Sequence, residues 1–291
     1  MFEALVLHAA TRRQAVHFAA RPSHALLLSG PDGIGKATLA EALIAAALGT
    51  TPNALGSYPH FKRITRLQGT SISIEAIRDL QHFLQLKTIG TAPYRRAVLI
   101  EHAQDLTTEA QNAYLKLLEE PPADTIMLLT VNSPRALLPT IVSRAQHIAL
   151  QTPTEADLRP LLDASGKDAA TQRQAYFLSG GLPGLLAALL ADDQAHPLLA
   201  SVATAKEILQ KQPFERLCLV DSLSKQKEQT TAVLEALERI ASAGLNGASA
   251  KGNTAQLTQW HRIRKQIVAA RQALAASANT KLTVSNLFLH L

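Results

Sequence analysis

The chain has 291 residues, of which 47% are hydrophobic and 18% are charged, and its formal net charge is +6. This length and composition predict a globular protein of two or three domains, and no run approaches the length of a membrane span. The first ten residues lack the basic and apolar segments of a signal peptide, and the single cysteine, Cys218, excludes an internal disulfide and a thiolate zinc cluster. We therefore expect a cytoplasmic protein without membrane contact.

Up to about residue 150, short apolar segments alternate with stretches of helical pattern. The apolar segments predict strands at 24–29, 60–65, 96–101, 125–131 and 146–150. The patterns between them predict helices around 2–19, 36–48, 74–87 and 107–119. This alternation predicts an α/β domain with a parallel sheet and helices on both faces.

A glycine-rich loop joins the first of these strands to the next helix, with the sequence Gly30-Pro31-Asp32-Gly33-Ile34-Gly35-Lys36-Ala37. Strand, loop and helix in this order predict a phosphate-binding loop, in which backbone N–H groups and the helix N-terminus hold phosphates. Lys36 adds a positive charge, but Ala37 replaces the Ser or Thr whose hydroxyl normally binds Mg²⁺. Thr38 is turned by about 100° from that position and cannot simply replace the hydroxyl. A glycine-rich turn without a ligand is the alternative interpretation.

The strand at 96–101 leads to the position where a P-loop ATPase carries two acidic residues. There an Asp orders Mg²⁺, and the following Glu positions the attacking water. This strand ends instead in Glu101 and His102. An imidazole can accept a proton, but the sequence shows no carboxylate partner for His102. These replacements predict a degenerate nucleotide site that does not catalyse hydrolysis.

After Pro153 the strand pattern disappears and only helical patterns follow. A capping-box pattern at Thr154 and Asp157 opens one helix, and Ser179-Gly180-Gly181 ends the next, so residues 154–194 predict a small helical unit. Beyond Pro197, long helices are predicted at 198–211, 214–225, 229–244 and 254–277. A polar loop is predicted from Gly244 to Gly252, and the stretch 241–253 around it is expected to be mobile.

The runs AVLIEHAQDLTTEAQNAYLKLLEEPP and MLLTVNSPRALLPTIVSRA, between Ala97 and Ala145, resemble the clamp-loader branch of the AAA+ proteins. By this resemblance Asn132 occupies the first sensor position, where a polar group can touch the terminal phosphate. Ser143-Arg144 matches the Ser-Arg-Cys motif of the family, with Ala145 in place of Cys. The arginine of that motif reaches the nucleotide site of the neighbouring subunit. A surface arginine or a local salt bridge is the alternative for Arg144.

The resemblance covers almost the whole chain and implies three parts. They are an AAA+ P-loop domain with a degenerate site at 1–152, a helical lid at 153–197 and a helical oligomerisation collar at 198–291. The turn after Ser179 is similar to the second-sensor turn, with Leu185 where the family usually has arginine. The segment from Asn279 resembles the closing helix of the collar, and an ordinary amphipathic helix also fits. Its apolar residues are expected to supply oligomer contacts, namely Leu287, Phe288, Leu289 and Leu291.

Many relatives carry a four-cysteine zinc module between the phosphate loop and the acidic strand. The corresponding stretch, 47–93, contains no cysteine, and His60 and His82 are too few and too far apart to replace it. The resemblance therefore implies neither zinc nor another metal for this chain. Gly30, Gly33, Gly35 and Lys36 could still hold ATP or ADP without hydrolysis.

Members of this branch commonly combine a degenerate nucleotide site with the donated arginine. The first hypothesis is therefore a non-hydrolysing subunit that completes a clamp-loader ring and donates Arg144 to an ATPase neighbour. Its implied partners are ATPase motor and delta subunits, primed DNA through the assembly, and indirectly the sliding clamp. The second hypothesis is an active clamp-loader motor ATPase. The third, a free-standing DNA-binding module, has only the scattered positive charge in its favour.

Overall fold

The computed structural model describes residues 2, 5–66, 71–191, 193 and 197–291, which form two compact units, Met1–Asp157 and Leu158–Leu291. The sequence predicts a further division of the second part into a lid at 153–197 and a collar at 198–291, and that division stays a prediction. None of the helices in the described ranges is both long enough and apolar enough to cross a membrane.

The first unit contains a five-stranded parallel sheet with the order β2-β3-β4-β1-β5. Its strands are β1 (Ala25–Ser29), β2 (Phe61–Ile64), β3 (Arg96–Ile100), β4 (Thr125–Val131) and β5 (Gln146–Ala149). All five predicted strands are confirmed with ends that agree within one residue. The central strands β1, β3 and β4 are buried along their whole length, as expected for a parallel sheet covered on both faces.

The predicted helices of the first unit are also present, and helices cover both faces of the sheet. They are α1 (Ala9–Ala20), α2 (Lys36–Leu48), α3 (Ile74–Gln85), α4 (Thr108–Glu119) and the short α5 (Pro139–Val142). The prediction that the first helix begins at residue 2 is wrong. His8 caps α1, and the guanidinium of Arg12 donates hydrogen bonds to the carbonyl oxygens of Phe2 and Leu5, which fold the preceding segment against the helix.

Helix α4 positions the segment that carries Arg144. It buries Tyr114 and its apolar neighbours against the sheet. The side chain of Gln111, which is also buried, donates to the carbonyl of Leu106 and accepts from the backbone N–H of Leu138, the residue that caps α5. These two bonds fix the start of α5 relative to α4, and Arg144 follows directly after α5.

The second unit is entirely helical in its described part. Its helices, including α6 at the boundary, are α6 (Glu155–Ala164), α7 (Ala169–Ser179), α8 (Pro183–Ala191), α9 (Pro197–Gln210), α10 (Pro213–Cys218), α11 (Val220–Ser224), α12 (Lys227–Ala250), α13 (Thr254–Ala275) and α14 (Thr280–His290). The closing helix is confirmed. The predicted helix at 214–225 is divided, because α10 ends before Leu219 and α11 begins after it.

The predicted loop from Gly244 to Gly252 is wrong over most of its length, because α12 continues to Ala250. Its glycines suggest a loop by their low helix propensity. In the structure, however, Gly244 lies directly against the indole ring of Trp260 on α13, and a Cβ added there would overlap with the ring. The glycine therefore allows close packing of α12 and α13, and this contact overrides its local preference.

This packing predicts opposite effects for two alanine substitutions in the same helix. Gly244→Ala is expected to lower the free energy of unfolding by about 1–3 kcal/mol, because the new methyl group separates the helices. Gly247→Ala is the matched control, since a Cβ there meets nothing within 4 Å. It should raise the free energy of unfolding by up to about 1 kcal/mol through helix propensity. Denaturant unfolding followed by circular dichroism measures both, and equal effects would contradict the packing argument.

Candidate nucleotide site

The phosphate-binding loop lies at the carboxyl edge of the parallel sheet. Gly30 follows β1, Glu101 follows β3 and Asn132 follows β4, so the three strand ends bring these positions to one edge. Gly33 and Gly35 have φ angles of 82° and 96°, a region of backbone conformation that favours glycine. The loop then enters α2 at Lys36, which confirms the predicted P-loop.

The ammonium group of Lys36 is bound within the chain. Its side chain is only 6% exposed. Nζ donates to the carbonyl oxygens of Gly30 at 2.7 Å and Pro31 at 3.1 Å. Oδ1 of Asp32 at 3.2 Å and Oδ1 of Asn132 at 2.8 Å also lie within hydrogen-bond distance, so three N–H groups are shared among four acceptors. The structure thus brings together the predicted phosphate-binding lysine and the predicted sensor, with Asp32 as a partner of the lysine.

Asp32 is a residue of this site to which sequence reasoning gave no role. Its Oδ2 accepts a hydrogen bond from Nδ2 of Asn132 at 3.0 Å. Its Oδ1 lies 3.9 Å from Nδ1 of His102, so His102 has a carboxylate neighbour that the sequence did not show. The sequence does show that Asp32 is an acidic residue inside a loop that binds anions. It does not show the two partners of Asp32, because they lie about 70 and 100 residues further along the chain.

Glu101, in the place of the metal-ordering aspartate, forms an ion pair with a basic residue. Its Oε1 lies 3.6 Å from Nη1 of Arg63 on the neighbouring strand β2, and Arg63 also pairs with Glu41. Arg63 therefore shares its positive charge between two carboxylates. Its guanidinium disfavours Mg²⁺ at Glu101, because it is a cation competing for the same oxygen ligands.

The other groups needed for Mg²⁺ do not fit either. Ala37 has no oxygen in its side chain, and the side chain of Thr38 is exposed on α2. His102 follows β3 with φ 52°, and its Nδ1 lies 3.2 Å from Nε2 of Gln104. In the described ranges, no group of three or more His, Cys, Asp or Glu residues has an arrangement that could hold a metal ion.

Arg144 is separate from this network. It follows α5, and its side chain is 38% exposed. Nη1 donates to the carbonyl oxygen of Thr140 at 3.2 Å, and Nη2 lies 2.9 Å from Oε1 of Glu119 at the end of α4. In the single chain Arg144 therefore forms a local, solvent-accessible salt bridge.

Comparison with known proteins agrees with these motifs. A family model described as DNA polymerase III, delta subunit, matches residues 12–154. DNA polymerase III subunit delta-prime of Pseudomonas aeruginosa is 37% identical over 182 residues, which cover 56% of this chain and 55% of that protein. The delta-prime subunit of Bacillus subtilis is 32% identical over 144 residues, covering 45% of this chain and 43% of that protein.

Over about half of its length, this chain is similar to the delta-prime subunits of DNA polymerase III. It spans about half the length of the curated relatives it matches. Among solved structures, a DNA polymerase III gamma subunit-related protein of Thermotoga maritima aligns with 96% of this chain and 97% of its own, with a TM-score of 0.52 and 19% identity. That likeness shows the fold, an α/β domain followed by helices, as the sequence predicts.

The turn that resembles the second sensor of this family has its predicted position between α7 and α8. Gly180 ends α7 with φ 61°, and Leu185 on α8 is completely buried in the second unit. Leu185 is a core residue and supplies no charge. Sequence reasoning missed Arg239 of α12, whose side chain packs against Gly180 and whose guanidinium has its pKa lowered by burial.

A serine and a histidine support the strand end that leads into the P-loop. Ser29, the last residue of β1, makes a 2.7 Å hydrogen bond through Oγ with Nε2 of His147 on β5. Burial lowers the pKa of His147, so its neutral form is favoured. The bond joins β1 to the edge strand one residue before Gly30, and it has no part in the Lys36 network.

Proposed function

We propose that this chain is a non-hydrolysing clamp-loader subunit of DNA replication. It completes a hetero-oligomeric ring with ATPase motor and delta subunits and donates Arg144 to the nucleotide site of a neighbouring ATPase. The ring loads a sliding clamp onto primed DNA, which the subunit contacts only as part of the assembly. Similarity to delta-prime subunits of DNA polymerase III supports this role. One observation carries the proposal most strongly: Lys36 is buried and bonded within its own loop, whereas Arg144 is accessible.

The absence of hydrolysis follows from the chemistry of the missing groups. Phosphoryl transfer in P-loop enzymes depends on Mg²⁺, a positioned water and cationic groups around the transferred phosphate. Here Ala37 replaces the metal hydroxyl, Glu101 is paired with Arg63, and Leu185 replaces the second-sensor arginine. Each such electrostatic contact typically contributes about 3 kcal/mol to transition-state stabilisation. The loss of several removes most of the catalytic rate.

The role of Arg144 in trans is compatible with its local salt bridge. Both partners are accessible, with side chains 38% and 51% exposed, and such surface pairs contribute little free energy. Arg144 can therefore exchange Glu119 for a phosphate at low cost. Its planar guanidinium forms two parallel hydrogen bonds with phosphate oxygens, which a lysine cannot do.

The motor-ATPase alternative has one observation in its favour, the intact backbone of the P-loop with Lys36 at its end. We expect the purified chain to show no ATP turnover above background. Steady-state phosphate release with saturating MgATP measures this, with Lys36→Ala as the matched control for contaminating enzymes. Turnover that Lys36→Ala abolishes would establish the motor function instead.

A further inference from the structure

Three polar groups converge on the carboxylate of Asp32, one from the same loop and two from the ends of later strands. Nζ of Lys36 donates to Oδ1 at 3.2 Å, and Nδ2 of Asn132 donates to Oδ2 at 3.0 Å. The ring of His102 approaches Oδ1 to 3.9 Å. Each oxygen of the carboxylate therefore has a defined hydrogen-bond donor, and the second donor of the pair is the residue at the first-sensor position.

These are donors that a nucleoside triphosphate would require for its terminal phosphate. In P-loop proteins the loop lysine reaches the β- and γ-phosphates, while backbone N–H groups hold the α- and β-phosphates. A carboxylate presents two anionic oxygens that accept hydrogen bonds from ammonium and amide groups as phosphate oxygens do. In this chain the side chain of Asp32 already makes both of those contacts.

We propose that Asp32 determines the nucleotide specificity of this degenerate site. Its carboxylate takes the interactions of a terminal phosphate, so the loop binds a nucleoside diphosphate in preference to a triphosphate. A triphosphate would have to displace Asp32 from Lys36 and Asn132, and its terminal phosphate would then lie close to the like-charged carboxylate, where repulsion is strong. A diphosphate uses the loop amides and the N-terminus of α2 and leaves the carboxylate in place.

This inference rests on the proposed function only in treating the loop as a non-hydrolysing nucleotide site, and it does not depend on Arg144. The substitution that tests it is Asp32→Asn. The asparagine has almost the same shape, and its amide oxygen still accepts from Lys36, while the negative charge is gone. Asp79→Asn is the matched control, because Asp79 is exposed on α3 and outside the Lys36 network.

The experiment is calorimetric titration of the full chain with ADP and with ATP. We expect the wild-type chain to bind ADP at least about tenfold more tightly than ATP, because ATP must displace Asp32. A tenfold ratio of affinities needs only a small difference in binding free energy. Asp32→Asn should tighten ATP binding about tenfold and change ADP binding by less than about twofold. Asp79→Asn should change neither affinity.

Several results would overturn the inference. They are equal affinities of the wild-type chain for ATP and ADP, an equal change of both in Asp32→Asn, and no measurable ATP binding to Asp32→Asn. Asp32→Ala gives a second test, with the same direction expected, and thermal unfolding without nucleotide shows whether each variant is folded. Failure here leaves the role of Arg144 intact, because that role is measured on the ATPase of the assembled loader.

Discussion

Replacing Arg144 with alanine is expected to lower the DNA-stimulated ATPase activity of a reconstituted clamp loader while this chain stays folded and incorporated. The pair with Glu119 is exposed, so its loss costs the chain little stability. An arginine finger contributes roughly 10³-fold or more to phosphoryl transfer at the site it serves. In the proposed function the ring has several sites and this subunit serves one, so the complex should lose a share of its ATPase activity. Clamp loading should fall more steeply, because it needs the sites to act together.

Two further variants separate charge, geometry and surface effects. Arg144→Lys keeps the positive charge but loses the bidentate hydrogen bonds, and it should also be impaired. Arg159→Ala is the matched control, since Arg159 is an exposed arginine in a local pair with Asp163. It should leave ATPase activity and clamp loading unchanged. Normal activity of both Arg144 variants would make Arg144 an ordinary surface residue.

Placing charges on the exposed side of α14 is expected to abolish assembly with partner subunits. Leu282 and Leu289 are 70% and 52% exposed, and their seven-residue spacing puts them on one face of the helix. Large apolar side chains grouped on one accessible face are typical of interaction surfaces. We therefore expect the double variant Leu282→Asp, Leu289→Asp to fold and to be absent from the complex on size-exclusion chromatography.

Leu282 and Leu289 are chosen because the expectation that all apolar residues at the chain end make oligomer contacts needs correction. Leu287 and Phe288 are 3% and 1% exposed and belong to the core of the second unit. Deleting 281–291 would therefore unfold that core and would not test assembly. The matched control is Ile89→Asp, because Ile89 is 94% exposed on the first unit. Normal assembly of the double variant would show that the contacts lie elsewhere.

The sequence predicts the parts of this fold that depend on local pattern. The buried strands are continuous apolar runs, and the P-loop is a short motif between a strand and a helix. The pairing of side chains was not predictable, because Arg63 reaches Glu101 only through the sheet order β2-β3, and Glu119 reaches Arg144 only through the packing of α4 and α5. Gly244 shows the same limit, since its role depends on Trp260 in another helix.

We propose that this chain acts on ATP at a partner's site and not at its own. The most direct measurement compares Lys36→Ala and Arg144→Ala in the same reconstituted loader, with DNA-stimulated phosphate release as the readout and equal incorporation of both variants verified. We predict unchanged turnover for Lys36→Ala and reduced turnover for Arg144→Ala. Reduced turnover for Lys36→Ala together with normal turnover for Arg144→Ala would contradict the account.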